Sequence, residues 1–262
     1  DEISHRGPDH NEQWSEKNYM TIGHHRLTIV DNNIRSNQPF ITSNGRYVLA
    51  YNGEIYNFLD IKEDLIKHGY IFKTDSDTEV VATSYMHWGE NCVKKFNGMF
   101  AISIWDRKNK ELFLARDRTG IKPLYFYVNN GSLFFSSEIK SLFKEKIIPK
   151  EICSEGLLQY FTFQNYLNNQ TLFKNIFLFP AGHYLKITRN TTFNNNKDIE
   201  KLFIKYWDFK FLSNTGGLNE NAASELGKLL TKSIDLQNKA DAIINSYLSS
   251  GLDSSIISYL SK

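Results

Sequence analysis

Two short stretches combine the residue types and the spacing that chemistry needs. Residues 51–57 read YNGEIYN, directly after the apolar run 47–50. Asn-Gly supplies two positive φ values, which suits a two-residue hairpin. A hairpin demands a second strand at once. The next residues are instead FLDIKEDLIKHG, with Phe58, Ile61, Leu65 and Ile66 near helical spacing and Gly69 placed as a stop. The pattern predicts strand, turn, helix, a geometry that aims free backbone N–H groups outward and suits a developing anion. On these residues alone, a plain connection and a catalytic turn both stand.

The second stretch is SSGLDSS, 249–255, between the short apolar run 243–248 and IISYLS. Small residues between a buried strand and a helix let backbone N–H groups converge on a phosphate, and the hydroxyls add donors. It is not a Walker A loop, because the lysine and the glycine spacing of that motif are absent. A serine-rich helix cap without a ligand fits the same residues.

Other candidates carry less. Cys92 and Cys153 form neither a disulfide framework nor a metal cluster, and read as small buried side chains in a reducing compartment. His5, His24 and His25 read as structural, and no metal site is expected. RDRTGIKP, 116–123, is basic and loop-like and reads as a structural turn near a domain interface rather than a phosphate site. The aromatic abundance over 156–179 reads as packing.

The elements that must position these residues alternate along the first two-thirds of the chain. Strands are predicted at 47–51, 99–105, 112–116, 124–128, 133–136 and 183–187. DRKNKE (106–111) and NNG (129–131) are hairpin-length connections, so much of the sheet should be antiparallel. Helices are predicted at 58–68 and 78–88, the second capped by Ser76 or Asp77. The Asn-rich stretch 188–201 reads as loop or linker. Beyond it come a helix at 220–238 and a strand at 243–248, the opening of an α/β unit.

Composition bounds the partners. The chain has 262 residues, 41% hydrophobic and 14% aromatic, enough for a large core. Net charge is +2 with both signs interspersed, so no footprint for nucleic acid or a membrane surface is expected. Apolar runs are too short to cross a bilayer, no targeting segment is visible, and the expected location is the cytoplasm.

As an ordered set, HRGPD (5–9), GHHRLTIVD (23–31), QPF (38–40), YNGEIYN, SDTEVV (76–81), FNGMFAISIWD (96–106), LARDRTGIKPLYF (114–126), SSEIKSL (136–142), FPAGHYL (179–185) and YLSSGLDSS (247–255) resemble the glutamine-hydrolysing asparagine synthetases. The resemblance implies an α+β class II glutamine amidotransferase domain over 1–190. Its fold would be the four-layer α/β/β/α N-terminal-nucleophile (Ntn hydrolase) type. A linker at 191–210 would lead into the start of an α/β adenine-nucleotide-hydrolase-like, ATP-binding domain at 211–262. The resemblance further implies glutamine, ATP with magnesium, and aspartate as small-molecule partners, with a homodimer as the assembly. The reaction would make asparagine, AMP and pyrophosphate.

Free glutamine is a zwitterion, so a selective pocket needs a cation for its carboxylate and anions for its ammonium group. By resemblance Arg26 holds the carboxylate through its planar fork. Glu54 and Asp77 recognise the amino end, and the Asn52 side chain with the Gly53 N–H forms the oxyanion hole. Leu248, Ser249, Ser250, Gly251, Asp253 and Ser254 match the pyrophosphate loop, with Ser250 where a glycine is more usual. The family's nucleophile is a leading cysteine activated by its own α-amino group. This chain begins at Asp1 and stops at Lys262, so it is expected to be truncated at both ends and inactive on glutamine as it stands. Two other readings share these motifs: an amidotransferase serving a cell-surface sugar or secondary metabolite, and a glutaminase-like module that no longer hydrolyses.

Overall fold

In the computed structural model, residues 2–28, 31, 33–211, 221–238 and 244–261 are described. They form two compact units, residues 1–28 with 33–208 and residues 29–32 with 209–262. In the first unit the chain runs through β1 (His10–Glu16), β2 (Met20–Arg26), β3 (Phe40–Ile41), β4 (Tyr47–Ile55), α1 (Phe58–Lys67), α2 (Asp77–Trp88) and α3 (Cys92–Lys95). It continues through β5 (Gly98–Asp106), β6 (Glu111–Arg116), β7 (Tyr125–Asn129), β8 (Ser132–Ser136), α4 (Ile139–Leu142), α5 (Ser154–Phe163), β9 (Ile176–Leu178), β10 (His183–Thr188), α6 (Asn196–Glu200) and β11 (Ile204–Lys205).

The strands pair antiparallel throughout. A six-stranded sheet has the order β11-β10-β6-β5-β4-β3, a three-stranded sheet the order β8-β7-β9, and β1 pairs β2. Period-two alternation sorts the core into layers. Leu49, Tyr51, Phe100, Ile102, Ile104 and Phe113 face Val80, Val81 and Tyr85 of α2. Their neighbours Val48, Ala101, Trp105, Leu112 and Leu114 face Phe126, Val128 and Phe179. Tyr127 and Ile176, on the other side of the three-stranded sheet, pack against Leu142 of α4 and Ile148. Helix, sheet, sheet, helix is thus the order of layers, and each large apolar side chain so buried stabilises the fold by about 1.5–3 kcal/mol.

Three expectations change. Residues 52–55 belong to β4, so Asn52-Gly53 is strand interior and the turn falls later, at Tyr56 and Asn57. The stretch 191–210, expected as a linker, is largely built into the first unit. Phe193 and Ile199 are buried in its core, β11 adds to the sheet beside β10, and Tyr206 donates its hydroxyl to Arg116 O at 2.8 Å. Its polar residues hid two core anchors. The strand expected at 243–248 does not form over 244–248, and Ile243 lies outside the described residues. Tyr247 is 98% exposed, and among the described residues no strand pairs with this segment. A strand needs a neighbour to satisfy its backbone.

Among the described residues the second unit holds two further helices, α7 (Ala222–Gln237) and α8 (Leu252–Leu260). Among the described residues no helix is long and apolar enough to cross a membrane.

Candidate active site

Asn52, Gly53 and Glu54 are carried by β4, one of the central strands. Gly53 lies opposite Phe100 of β5. Phe100 gives both of its backbone groups to Asp117 instead: its N–H donates to Asp117 Oδ2 at 3.1 Å, and its carbonyl accepts the Asp117 N–H at 2.9 Å. Gly53 and Phe100 are therefore a pair without mutual hydrogen bonds, and the Gly53 N–H points away from β5. Tyr51 and Ile55, in phase with Gly53, send their N–H groups to that side, to Gln38 Oε1 at 2.6 Å and Asp77 Oδ2 at 3.1 Å. Strand β3 stops short, pairing only with Val48 and Leu49. Between the two satisfied donors, the Gly53 N–H has no protein acceptor among the described residues.

Only glycine fits there. A Cβ on Gly53 would lie 2.2 Å from Met99 O and 2.7 Å from Phe100 Cα. Gly98 does the same for the next pair, since a Cβ on it would lie 2.1 Å from Glu54 O. These two close approaches fix the backbone of 53–55 against β5.

Asp77 opens α2. Ser76 caps the helix, its Oγ accepting the Thr78 N–H at 3.1 Å, which leaves the Asp77 carboxylate for β4. It accepts the Tyr51 hydroxyl at 2.9 Å as well as the Ile55 N–H. Burial pushes the Asp77 carboxyl up, opposed by those bonds, the Thr78 N–H and the charge of Arg26. Glu54 is half-buried, and burial together with Asp77 raises its carboxyl to about 7, with Lys122 acting against the rise. Arg26 ends β2 and is 7% exposed. Its guanidinium donates to Asn37 Oδ1 at 2.7 Å and Asn33 O at 3.2 Å, within range of Asp77's charge. The Asn52 amide donates to Ser137 Oγ at 3.4 Å.

One cation, two carboxylates and an amide thus converge on a strand edge with an unclaimed N–H. Several residues that build this arrangement received no role in the site from the sequence. Tyr51 and Gln38 orient the edge, and His24 Nε2–H donates to Tyr51 O at 3.2 Å. Burial lowers His24 to about 4, so the ring is neutral at pH 7. Position 51 lies one period of two before Gly53 on β4, the one local signal that tied it to the site. His5, Arg6 and Lys140 all reach Glu138, a cluster between distant motifs that no local pattern reveals.

RDRTGIKP is a structural turn. Arg116 donates to Lys122 O at 2.7 Å, Phe179 O at 2.6 Å and Gly120 O at 2.5 Å. Asp117 is fully buried and takes the N–H groups of Phe100, Thr119, Ile121 and Lys122.

In the second unit, the loop before α8 is exposed. Ser249 and Ser254 bond through their hydroxyls at 3.0 Å, and Ser254 and Ser255 donate to Gly251 O at 3.1 and 2.8 Å. Ser250 has φ 65°, the left-handed region that glycine enters freely. Leu248 is exposed and Asp253 stands in the first turn of α8. Hydroxyls and the N–H groups opening α8 are donors that fit a phosphate, and Asp253 is an oxygen ligand of the kind magnesium takes.

The chain matches the family model described as glutamine amidotransferase domain over residues 1–198. It is similar to asparagine synthetase [glutamine-hydrolyzing] 2 of Bacillus subtilis (strain 168), 36% identical, over 99% of this chain and 34% of that protein. It is similar to asparagine synthetase [glutamine-hydrolyzing] 3 of the same strain, also 36% identical, over 98% of this chain and 40% of that protein. The chain therefore spans well under half the length of these relatives. A solved structure of the B. subtilis glutamine phosphoribosylpyrophosphate amidotransferase, complexed with ADP and GMP, aligns at 20% identity with a TM-score of 0.46. That alignment covers 92% of this chain and 49% of that one.

Proposed function

The chain belongs to the glutamine amidotransferase domain family, and from that premise we propose that Arg26, Asn52, Gly53, Glu54 and Asp77 form a pocket for free L-glutamine. The observation that carries the reading is the unclaimed Gly53 N–H on an edge flanked by Asp77 and Glu54, with Arg26 close to Asp77. Arg26 binds the α-carboxylate, and Glu54 and Asp77 the α-ammonium. A thiolate attacking the side-chain amide turns its carbonyl oxygen into an oxyanion, which accepts from Gly53 N–H and Asn52 Nδ2. Ammonia leaves, and water releases glutamate from the thioester. The thiol belongs, by the resemblance, to the leading cysteine of the native polypeptide. Donors fixed before the reaction cost no reorganisation when the charge develops.

For the whole enzyme the reading is a glutamine-dependent asparagine synthetase, a cytoplasmic homodimer. Ser249, Ser250, Gly251 and Ser254 would hold the pyrophosphate of ATP with Leu248 against the nucleotide, and Asp253 would serve magnesium. ATP supplies the leaving group that activates an aspartate carboxylate for ammonia. Titration calorimetry of the chain with L-glutamine, D-glutamine and L-aspartate tests the pocket. Binding of L-glutamine alone, lost in Arg26→Ala and in Asp77→Ala, is expected; equal response to all three ligands, or to none, sinks the reading.

A further inference from the structure

Tyr51 lies on the face of β4 that meets α2, buried in the cluster that holds Val80 and Val81. All three of its polar groups are held. Its N–H donates to Gln38 Oε1 at 2.6 Å, its carbonyl accepts His24 Nε2–H at 3.2 Å, and its hydroxyl donates to Asp77 Oδ2 at 2.9 Å. Gln38 turns its other end to α2, where Nε2 donates to Thr78 Oγ1 at 3.4 Å. Thr78 follows Asp77 in the first turn of α2. The bonds therefore close a ring, from the Tyr51 N–H through Gln38, Thr78 and Asp77 back to the Tyr51 hydroxyl. With its backbone pinned and its ring packed in one rotamer, the tyrosine has a single place to put that hydroxyl.

Asp77 is itself buried. From β4 it takes two bonds, the Tyr51 hydroxyl and the Ile55 N–H at 3.1 Å, and both fall on Oδ2. Oδ1 takes neither. A carboxylate accepts on both oxygens, so two donors gathered on one leave the other to a further donor or cation. Hydrogen bonds to the ionised form also favour charge on a buried acid. Packing alone asks for nothing more than the ring at position 51; the hydroxyl adds a fixed donor to a carboxylate of the candidate pocket.

We propose that Tyr51 is a positioning residue of the glutamine pocket: its hydroxyl holds Asp77 by Oδ2 and so turns Oδ1 towards the α-ammonium group of the substrate. The proposal rests on Asp77 binding that ammonium group. It makes Tyr51 a determinant of selectivity for a free amino acid over a carboxylate of the same length that lacks the amine. Without the hydroxyl, Asp77 keeps only the Ile55 N–H from β4 and is free to swing off the line to the substrate.

The test is calorimetry on the full chain with L-glutamine and with glutaramate, which is glutamine without its α-amino group, in wild type, Tyr51→Phe and Tyr47→Phe. Tyr47 is buried on the same face of β4, so its variant controls for the loss of a core hydroxyl. Tyr51→Phe should weaken L-glutamine binding about tenfold, the worth of one hydrogen bond to a charged group, and leave glutaramate within about twofold of wild type. Tyr47→Phe should bind both ligands as wild type does. In urea unfolding, Tyr51→Phe, Asp77→Ala and the double variant should be non-additive, as residues in contact are. Unchanged L-glutamine binding in Tyr51→Phe, or equal loss of both ligands, overturns the proposal. Should wild type bind neither ligand while the unfolding energies remain non-additive, the tie between Tyr51 and Asp77 is upheld and the glutamine reading is what falls.

Discussion

Replacing Gly53 with alanine puts a methyl carbon 2.2 Å from Met99 O, 2.7 Å from Phe100 Cα and 2.8 Å from the Tyr51 ring. The first two are backbone atoms of β5, so relief requires β4 and β5 to part within their continuous run of paired residues. Overpacking of well-ordered interiors costs about 1–3 kcal/mol, and a clash with backbone belongs at the upper end, about 3 kcal/mol. In a unit of this size that corresponds to a fall in Tm of about 6 to 12 °C. Trp14, Trp88, Trp105 and Trp207 all belong to the first unit, so tryptophan fluorescence during thermal melting reports on it. Gly23→Ala is the control, because Gly23 also lies in a strand but a Cβ there meets nothing within 4 Å. It should stay within about 0.5 kcal/mol of wild type. Glutamine binding should be lost in Gly53→Ala measured well below its melting point. A Gly53→Ala protein that melts with wild type and still binds glutamine would refute both the packing argument and the role of this strand edge.

Other consequences are as direct. In the native enzyme, Asn52→Ala should lower glutamine-dependent turnover about a hundredfold or more, the effect of losing about 2.7–4 kcal/mol of oxyanion stabilisation, while synthesis from added ammonia persists; equal loss of both activities removes Asn52 from the oxyanion hole. Glu54 is raised to about 7 in the folded state against an ordinary 4.5. Between those values the native protein holds more protons than the unfolded chain, so Glu54 makes stability fall as pH rises through that window. Glu54→Gln should flatten this slope in denaturant titrations at several pH values, and an unchanged slope contradicts the raised carboxyl. Glutamine affinity of wild type should conversely weaken as pH drops below about 7, as the ammonium loses its partner. Ser250→Gly should relieve a left-handed residue of about 1 kcal/mol, tightening ATP binding by the native enzyme up to about fivefold; weaker binding would mean that the serine hydroxyl outweighs the strain.

Much of this domain is written locally. Alternating apolar residues through 99–105 and 112–116 set two faces, and those faces now divide the core between α2 and the second sheet. Asn130 and Gly131 lie at φ 45° and 75°, as the hairpin between β7 and β8 requires. Ser76 caps α2 from its position just before the helix. Where signals were sparse the reading failed: Phe193 and Ile199, scattered among asparagines, showed no period, yet each fills a place in the core.

The site divides along the same line. Residue types and their order determined that a cation, two carboxylates and an Asn-Gly pair would be present, because side-chain chemistry is carried by the residue itself. What the Asn-Gly pair does was decided only in three dimensions. Its local preference is for a turn, but Gly98 and Phe100, some 45 residues along the chain, hold it in a strand too tightly for any side chain. That long-range pairing, and Asp117 drawing away both backbone groups of Phe100, fix where the Gly53 N–H points. A hydrogen-bond donor has chemistry only in relation to what occupies the space in front of it, and that space is enclosed by residues far apart in sequence.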